Sequence, residues 1–275
     1  MANEIIKNAT KSGASAKRVS DLLETDSIKK RFDEVLGKRA PSFTSSIISA
    51  VSANKSLAEC EPMSVIASAM VAAAMDLPIN SNLGFAYIVP YGNSAQFQMG
   101  WKGYIQLAMR SGQYKTINLT PILEGQIKRH NRFTGEMEFQ DEHQSDKQVG
   151  YLLYFKLLNG YEKYFYMSKE QCEAHGKKYS KSFSNEKGRW NLDFESMALK
   201  TVAKMGLSKY GILSVEMQKA LESDQAAFDE SGEADYIDHA PSNLPLSCEQ
   251  ISEAPKTQHS RLIKAIEASE EITNG

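Results

Sequence analysis

Between Val149 and Met167 the chain reads VGYLLYFKLLNGYEKYFYM, two runs rich in tyrosine, phenylalanine and leucine around Asn159-Gly160. Asn-Gly supplies the two positive-φ residues that a tight turn needs, so the runs predict a β-hairpin. A second hairpin is expected from FAYIVPYG and AQFQMG, which flank Gly92, Asn93 and Ser94, with Pro90 marking an edge or a bulge on its first strand. From Tyr114 to Phe139 the pattern reads as irregular strand with turns at Gly125 and Gly135.

Helices surround these strands. Ile28, Phe32, Val35 and Leu36 recur at helical spacing behind Asp26, read as an N-cap, and stop at Gly37. A second helix carries Phe43, Ile47 and Val51, and a third, PMSVIASAMVAAAMDL, starts at Pro62 and has the composition of a close-packed, buried helix. Others are expected from Trp101 to about Arg110, from about Ser168, and from Trp190, the last with Trp190, Phe194, Met197, Ala198, Thr201 and Met205 on its core side. The predicted fold class is therefore α+β: a small antiparallel sheet with β-hairpins packed against several helices in a single domain, followed by a short C-terminal helical segment.

Charge divides the chain more sharply than its net value of −2 suggests. Lys plus Arg outnumber Asp plus Glu by 19 to 13 over residues 100–220, whereas residues 221–275 hold 3 basic against 12 acidic residues. A basic body with an acidic tail suits a protein that meets polyanions. The expected division is a flexible arm at 1–20, a main domain at 21–220, an acidic linker at 221–246 and a docking segment at 247–275. That last segment includes HSRLIKAIEASEE, with Leu262, Ile263 and Ile266 on one side.

Several chemistries find little support. Cys60, Cys172 and Cys248 are far apart and odd in number, which speaks for a reducing cytoplasm and against a local disulfide or CxxC pair. The N-terminal residues contain no apolar stretch of a secretion signal, and no run approaches the length that spans a bilayer. SGQYKT is not a phosphate-cradling GxxxxGK[ST] loop, and no histidine has a second histidine at i+3 or i+4 to share a metal. Carboxylates cluster at Glu136, Glu138, Asp141, Glu142 and Asp146; they could serve as the Mg2+ site of a nuclease or form a solvated loop, and the loop is favoured because no Glu-x-Lys strand follows.

Two basic clusters carry the functional reading. On the helix from Trp101, residues Lys102, Gln106 and Arg110 form a polar stripe at i, i+4 and i+8, spanning about 12 Å, the scale of several phosphate steps. The wet face of any amphipathic helix looks the same. The second cluster, HGKKYSKSFSNEKGRW, sets Lys177, Lys178, Lys181, Lys187 and Arg189 among Tyr179, Phe183 and Trp190 with Glu186 as its acid. Cations for phosphates and aromatic rings for unpaired bases suit single-stranded nucleic acid better than a duplex groove. Lys200 and Lys204, one turn apart, can join that surface and at the same time interact with the C-terminal end of their own helix.

The blocks MSVIASAMVAAAMDLPINSNLGFAYIVPYGNSAQFQMGWKGYIQLAMRSGQYKTI and WNLDFESMALKTVAKMGLSKYGILSVEMQKALESD closely resemble the RecT family of phage and prophage single-strand annealing recombinases. The likeness covers roughly residues 30–225. It implies an ATP-independent protein that coats single-stranded DNA, anneals complementary strands and assembles into rings or helical filaments in the bacterial cytoplasm. It also implies a partner exonuclease and the host single-strand binding protein, met through the C-terminal segment. No cofactor is called for, and Mg2+ is compatible without being required. Lys102, Arg110, Lys115, Arg189, Lys200 and Lys204 lie in the matched blocks, while Lys177, Lys178 and Lys181 rest on the charge argument. Tyr91 and Trp101 are either stacking platforms or core. The rival readings are a metal-dependent nuclease and a protein-interaction adaptor working through the acidic tail.

Overall fold

The computed structural model describes residues 18–186 and 188–224, without the side chains of 181 and 182, and the backbone of 226–228 and 234–236. The chain divides into a unit spanning Met1–His239 and another spanning Ala240–Gly275, and every described residue lies in the first. The arm and the docking segment read from the sequence thus fall almost wholly outside the described residues. Of the stretch read as an acidic linker, residues 221–223 close a helix, and 226–228 and 234–236 are strands.

Helix α1 covers residues 18–23. Helix α2 (Asp26–Leu36) buries Phe32 and Leu36 and ends at Gly37, whose φ of 54° takes the left-handed conformation that other residues avoid. Its N-cap is Thr25, so Asp26 is instead the first helical residue, where a negative charge faces the helix N-terminus favourably. After a 3₁₀ turn (Gly37–Arg39), α3 (Ala40–Ala53) and α4 (Lys55–Ala58) follow.

Helix α5 (Pro62–Ala74) starts with proline at its first position, and the Glu61 carboxylate accepts from the amides of Met63 (2.9 Å) and Ser64 (2.6 Å). The helix is apolar nearly all round because it is buried nearly all round. Its two buried hydroxyls are both satisfied on the neighbouring strand: the Ala95 amide donates to Ser64 Oγ (2.8 Å), and Ser68 Oγ donates to the Ala95 carbonyl (3.2 Å).

That strand belongs to the hairpin of β1 (Ala86–Tyr91) and β2 (Ser94–Met99), in register from Ala86↔Met99 to Tyr91↔Ser94. The sheet order is β1-β2-β8-β9, with β8 (Ala226–Phe228) and β9 (Ala234–Tyr236). Strand β1 is an edge, which is where Pro90 costs no ladder bond.

Helix α6 (Trp101–Arg110) leads to a three-stranded antiparallel sheet, β3 (Tyr114–Glu124), β6 (Ser145–Leu157) and β7 (Glu162–Ser168), in the order β3-β6-β7. The β6–β7 turn falls at Asn159-Gly160 as read from the sequence, with Gly160 at φ 91° and the Asn159 side chain accepting from the Tyr161 amide at 2.9 Å. Residues 114–139, read as irregular strand with turns at Gly125 and Gly135, form the long strand β3, whose pairing with β6 shifts register at three points, and a separate hairpin, β4 (Ile127–His130) with β5 (Met137–Phe139); both glycines take a positive φ.

Alternation along β6 assigns its two faces. Tyr151, Leu153, Phe155 and Leu157 enter the main core with α9 (Phe194–Tyr210). On the opposite face Leu152 joins Ile122 and Met137 in a small second core, with Ile127, Phe139 and Tyr164 packed around it. Gly206 lets α9 approach the sheet closely, since a Cβ there would stand 2.6 Å from Leu153 Cδ2.

The helices α7 (Lys169–Tyr179), α8 (Arg189–Leu192) and α10 (Val215–Ser223) complete the described chain. The helix expected from Trp190 is in fact two, broken at Asp193, whose φ of −151° is not helical. Restarting at Phe194 shifts the buried side, and Met205, expected in the core, is 37% exposed.

Candidate nucleic-acid interface

The β1–β2 hairpin and the α8–α9 corner face each other across a cleft of about 520 Å3, counting its open mouth. Tyr87 and Val89 line it from β1, Gln98 and Met99 from β2, Trp101 from the start of α6, and Arg189, Asp193, Met197 and Lys200 from the other side. Glycine makes the α6 side buildable. A Cβ on Gly100 would lie 2.0 Å from the Gly84 carbonyl oxygen, and one on Gly103 would lie 2.3 Å from that of Phe85. The GWKG sequence therefore lets α6 start hard against the loop before β1, which presents Trp101 to the cleft.

Two aromatic rings and two exposed cations meet here. The Lys102 ammonium lies 5.6 Å from the centre of the Trp101 ring, within cation–π range. Burial raises the Tyr87 phenol above its ordinary pKa, while the charge of nearby Arg189 pulls it down and that of Asp193 pushes it up. Asp193 is also committed to α9, as its carboxylate accepts from the Ser196 amide at 3.2 Å. This mouth offers flat apolar faces beside cations, the combination that holds a base and its phosphate together.

The remaining residues of the sequence reading are placed differently. Lys200 and Lys204 both reach a residue beyond their own helix. Their ammonium groups donate to the two oxygens of Asp224, at 2.8 and 2.9 Å, and the Met99 amide donates to the same carboxylate at 3.0 Å. Burial by itself would raise the Asp224 carboxyl, but the two ammonium groups outweigh it and hold the pKa well below the carboxylate range. The fully buried Tyr104 hydroxyl is pushed well up by burial and then by the neighbouring Asp224 carboxylate.

Arg110 is likewise engaged. It donates to the carbonyls of Met75 (2.9 Å) and Asp76 (2.8 Å), just past the end of α5, so the Lys102–Arg110 stripe is not one uniform wet face. Lys115 is exposed at a bulge in β3, beyond the end of α6 opposite to Trp101, and Tyr91 stands at the far end of the β1–β2 hairpin from the cleft.

In the second cluster two of the three aromatic rings, Phe183 and Trp190, are taken up by packing. Phe183 and Trp190 lie 5.7 Å apart and tilted over Gly176, and Trp190 and Phe194 meet edge to face, also at 5.7 Å, in a local core in which Trp190 is only 4% exposed. These rings hold α7, α8 and α9 together. The lysines stay outside: Lys177 sits 5.8 Å from the Phe183 ring and Lys178 5.0 Å from the Tyr179 ring. Lys181 belongs to a 3₁₀ turn, its side chain being outside the described residues, as is Lys187. Arg189 links the clusters, since it precedes Trp190 in the chain and lines the cleft.

Reading the sequence missed three features. Tyr87 looks like any strand residue until the cleft is assembled. Asp224 lies at the edge of an acidic stretch with nothing local to mark it. The third had a signal: IKRHNRFTG repeats the mixture of cations and aromatics seen at 175–190. It forms the β4–β5 hairpin, where Lys128, Arg129 and Arg132 are exposed, Arg132 lies 5.3 Å from the Phe133 ring, and Phe133 is 89% exposed. The Asn131 side chain shapes the tip by accepting from the Phe133 amide at 3.0 Å.

The carboxylates weighed as a nuclease site are dispersed among other partners. Arg129 pairs with Glu138 (3.6 Å), Glu136 accepts from Thr134, and His143 meets Asp146 at 3.0 Å. Among the described residues, no group of three or more His, Cys, Asp or Glu side chains is placed to hold a metal ion, and no helix is long and apolar enough to cross a membrane.

A family model described as the RecT family matches residues 41–238. The uncharacterized protein YqaK of Bacillus subtilis (strain 168) is 54% identical over 229 residues, which cover 81% of this chain and 79% of that one. Protein RecT of Escherichia coli (strain K12) is 28% identical over 184 residues, 62% of this chain and 65% of its own.

Proposed function

This chain belongs to the RecT family, whose members are DNA recombination and annealing proteins, and from that premise we propose that it binds single-stranded DNA and anneals complementary strands without hydrolysing a nucleotide. The observation that carries this reading is the cleft mouth, where Trp101 and Tyr87 lie beside Lys102 and Arg189. Bases stack on the rings, phosphates sit on the two cations, and neither contact depends on base identity. The β4–β5 hairpin supplies a second platform in Phe133, with Arg132 beside it.

The driving force for annealing is base pairing and stacking between the two strands. The protein lowers the repulsion between their phosphates and holds bases accessible for pairing. Repetition of a modest site along a homo-oligomer, ring or filament, gives grip on a long strand through effective concentration. On this reading the protein acts in the cytoplasm of a bacterial host during phage recombination. An exonuclease exposes the strand it coats, and the segment after residue 246 meets that exonuclease or the host single-strand binding protein.

The test mixes labelled complementary oligonucleotides with the protein in EDTA and without ATP. Accelerated pairing of intact strands is expected. Shortened products that appear only with Mg2+ would favour the nuclease, and loss of all pairing on deletion of residues 240–275 would favour the adaptor.

A further inference from the structure

We propose that Asp224 and strand β8 form an acidic strap that keeps Lys200 and Lys204 away from polyanions, and that its release adds both cations to the cleft; this rests on the single-stranded DNA reading above. The Asp224 side chain is fully buried and holds three donors: Lys200 at 2.8 Å, Lys204 at 2.9 Å and the Met99 amide at 3.0 Å. Met99 and Lys200 both line the cleft, so the carboxylate lies directly beneath its floor. With two ammonium groups on one carboxylate, the site keeps a net positive charge. Such a buried ion cluster is weak as a stabilising device compared with apolar packing.

Asp224 sits where two short elements meet. It follows α10 directly and precedes β8, which joins β2 through the pair Gln96↔Ala227. The anchorage is short: β8 has three residues, and residues 229–275, which follow it in the chain, hold 10 acidic against 3 basic residues. Lys200 and Lys204 sit one turn apart on α9, and a phosphate oxygen offers them the same anionic acceptor that Asp224 does. Nucleic acid in the cleft and the strap therefore compete for one pair of cations, and peeling β8 away also uncovers the hydrogen-bonding edge of β2.

The experiment uses the full chain and a fluorescent oligo(dT) probe, with binding followed across a salt series. Asp224→Asn keeps the shape and the acceptor for the Met99 amide but removes the charge. It is expected to bind the probe at least about tenfold more tightly at low salt, with log K against log salt steeper by about 0.7 for each lysine that gains a phosphate. The gain is expected to vanish in Asp224→Asn/Lys200→Ala/Lys204→Ala. Hydrogen exchange on the unsubstituted protein guards against misfolding of the variants: amides 226–228 should exchange faster once the probe is bound. Tight binding of the probe with unchanged or slower exchange at 226–228 overturns the strap alone. Failure of the folded protein to bind the probe overturns the strap together with the DNA reading beneath it.

Discussion

Arg110 closes the C-terminal end of α5 by donating to the carbonyls of Met75 and Asp76, 35 and 34 residues earlier in the chain. Asp76 carries a positive φ of 52° and also pairs with Arg39, so this junction is held by two arginines. A cation that the sequence offers to DNA is thereby used to join two helices.

Arg110→Ala should therefore act first on stability. Hydrogen bonds to a charged group contribute roughly 1.5–3 kcal/mol, and with the side chain 36% exposed a loss of about 1 kcal/mol is expected in a urea melt. The salt dependence of oligonucleotide binding should change little. A flattened slope with unaltered stability would return Arg110 to the phosphate-binding set.

Lys102→Ala and Arg189→Ala should do the reverse. Each is expected to weaken binding of single-stranded DNA and to flatten the slope of log K against log salt by about 0.7, with the folding midpoint close to that of the parent. Unchanged slopes in both variants would remove the cleft mouth from the interface.

Phe133→Ala separates stacking from folding. A ring this exposed contributes within about 0.5 kcal/mol to stability, but as a base platform it should carry roughly 1–3 kcal/mol of binding. Equal affinity and annealing rate in variant and parent would leave the β4–β5 tip without a role in DNA binding.

Acid should unmake the Asp224 cluster in a defined direction. The folded carboxyl is held below its unfolded value, so its contribution is fully present above about pH 4 and is lost as the pH falls from there toward the folded pKa. Asp224→Asn is expected to cost stability at pH 7, on the order of 3 kcal/mol for a broken buried pair, and the gap from the parent should narrow steadily below pH 4. A gap that stays constant from pH 7 to pH 2 would mean that charge is not what Asp224 supplies.

Local signals made much of the fold legible. Asn159-Gly160, the Pro62 helix start, the Gly37 stop and Pro90 on an edge strand are all backbone requirements that a few adjacent residues declare for themselves. The resemblance to the RecT family rested on the blocks at 63–117 and 190–224, which the family match at 41–238 spans. By contrast, the pairing of β3 with β6 was hidden, because the two strands are separated in the chain by a whole hairpin and share no local signal.

The site divides along the same line. The chain alone determined that cations and aromatic rings gather around 101–115 and 175–190, since composition is a property of sequence. Only the tertiary structure decided which of them are available. Trp190 went into a local core, Arg110 to the end of α5, and Lys200 and Lys204 to Asp224, while Tyr87 and Phe133 came to the surface. The reason is physical: a charge or a ring is claimed by whichever partner folding brings within a few ångströms, and the partners of Lys200, Lys204 and Arg110 lie 20 to 35 residues away, beyond the reach of any local pattern.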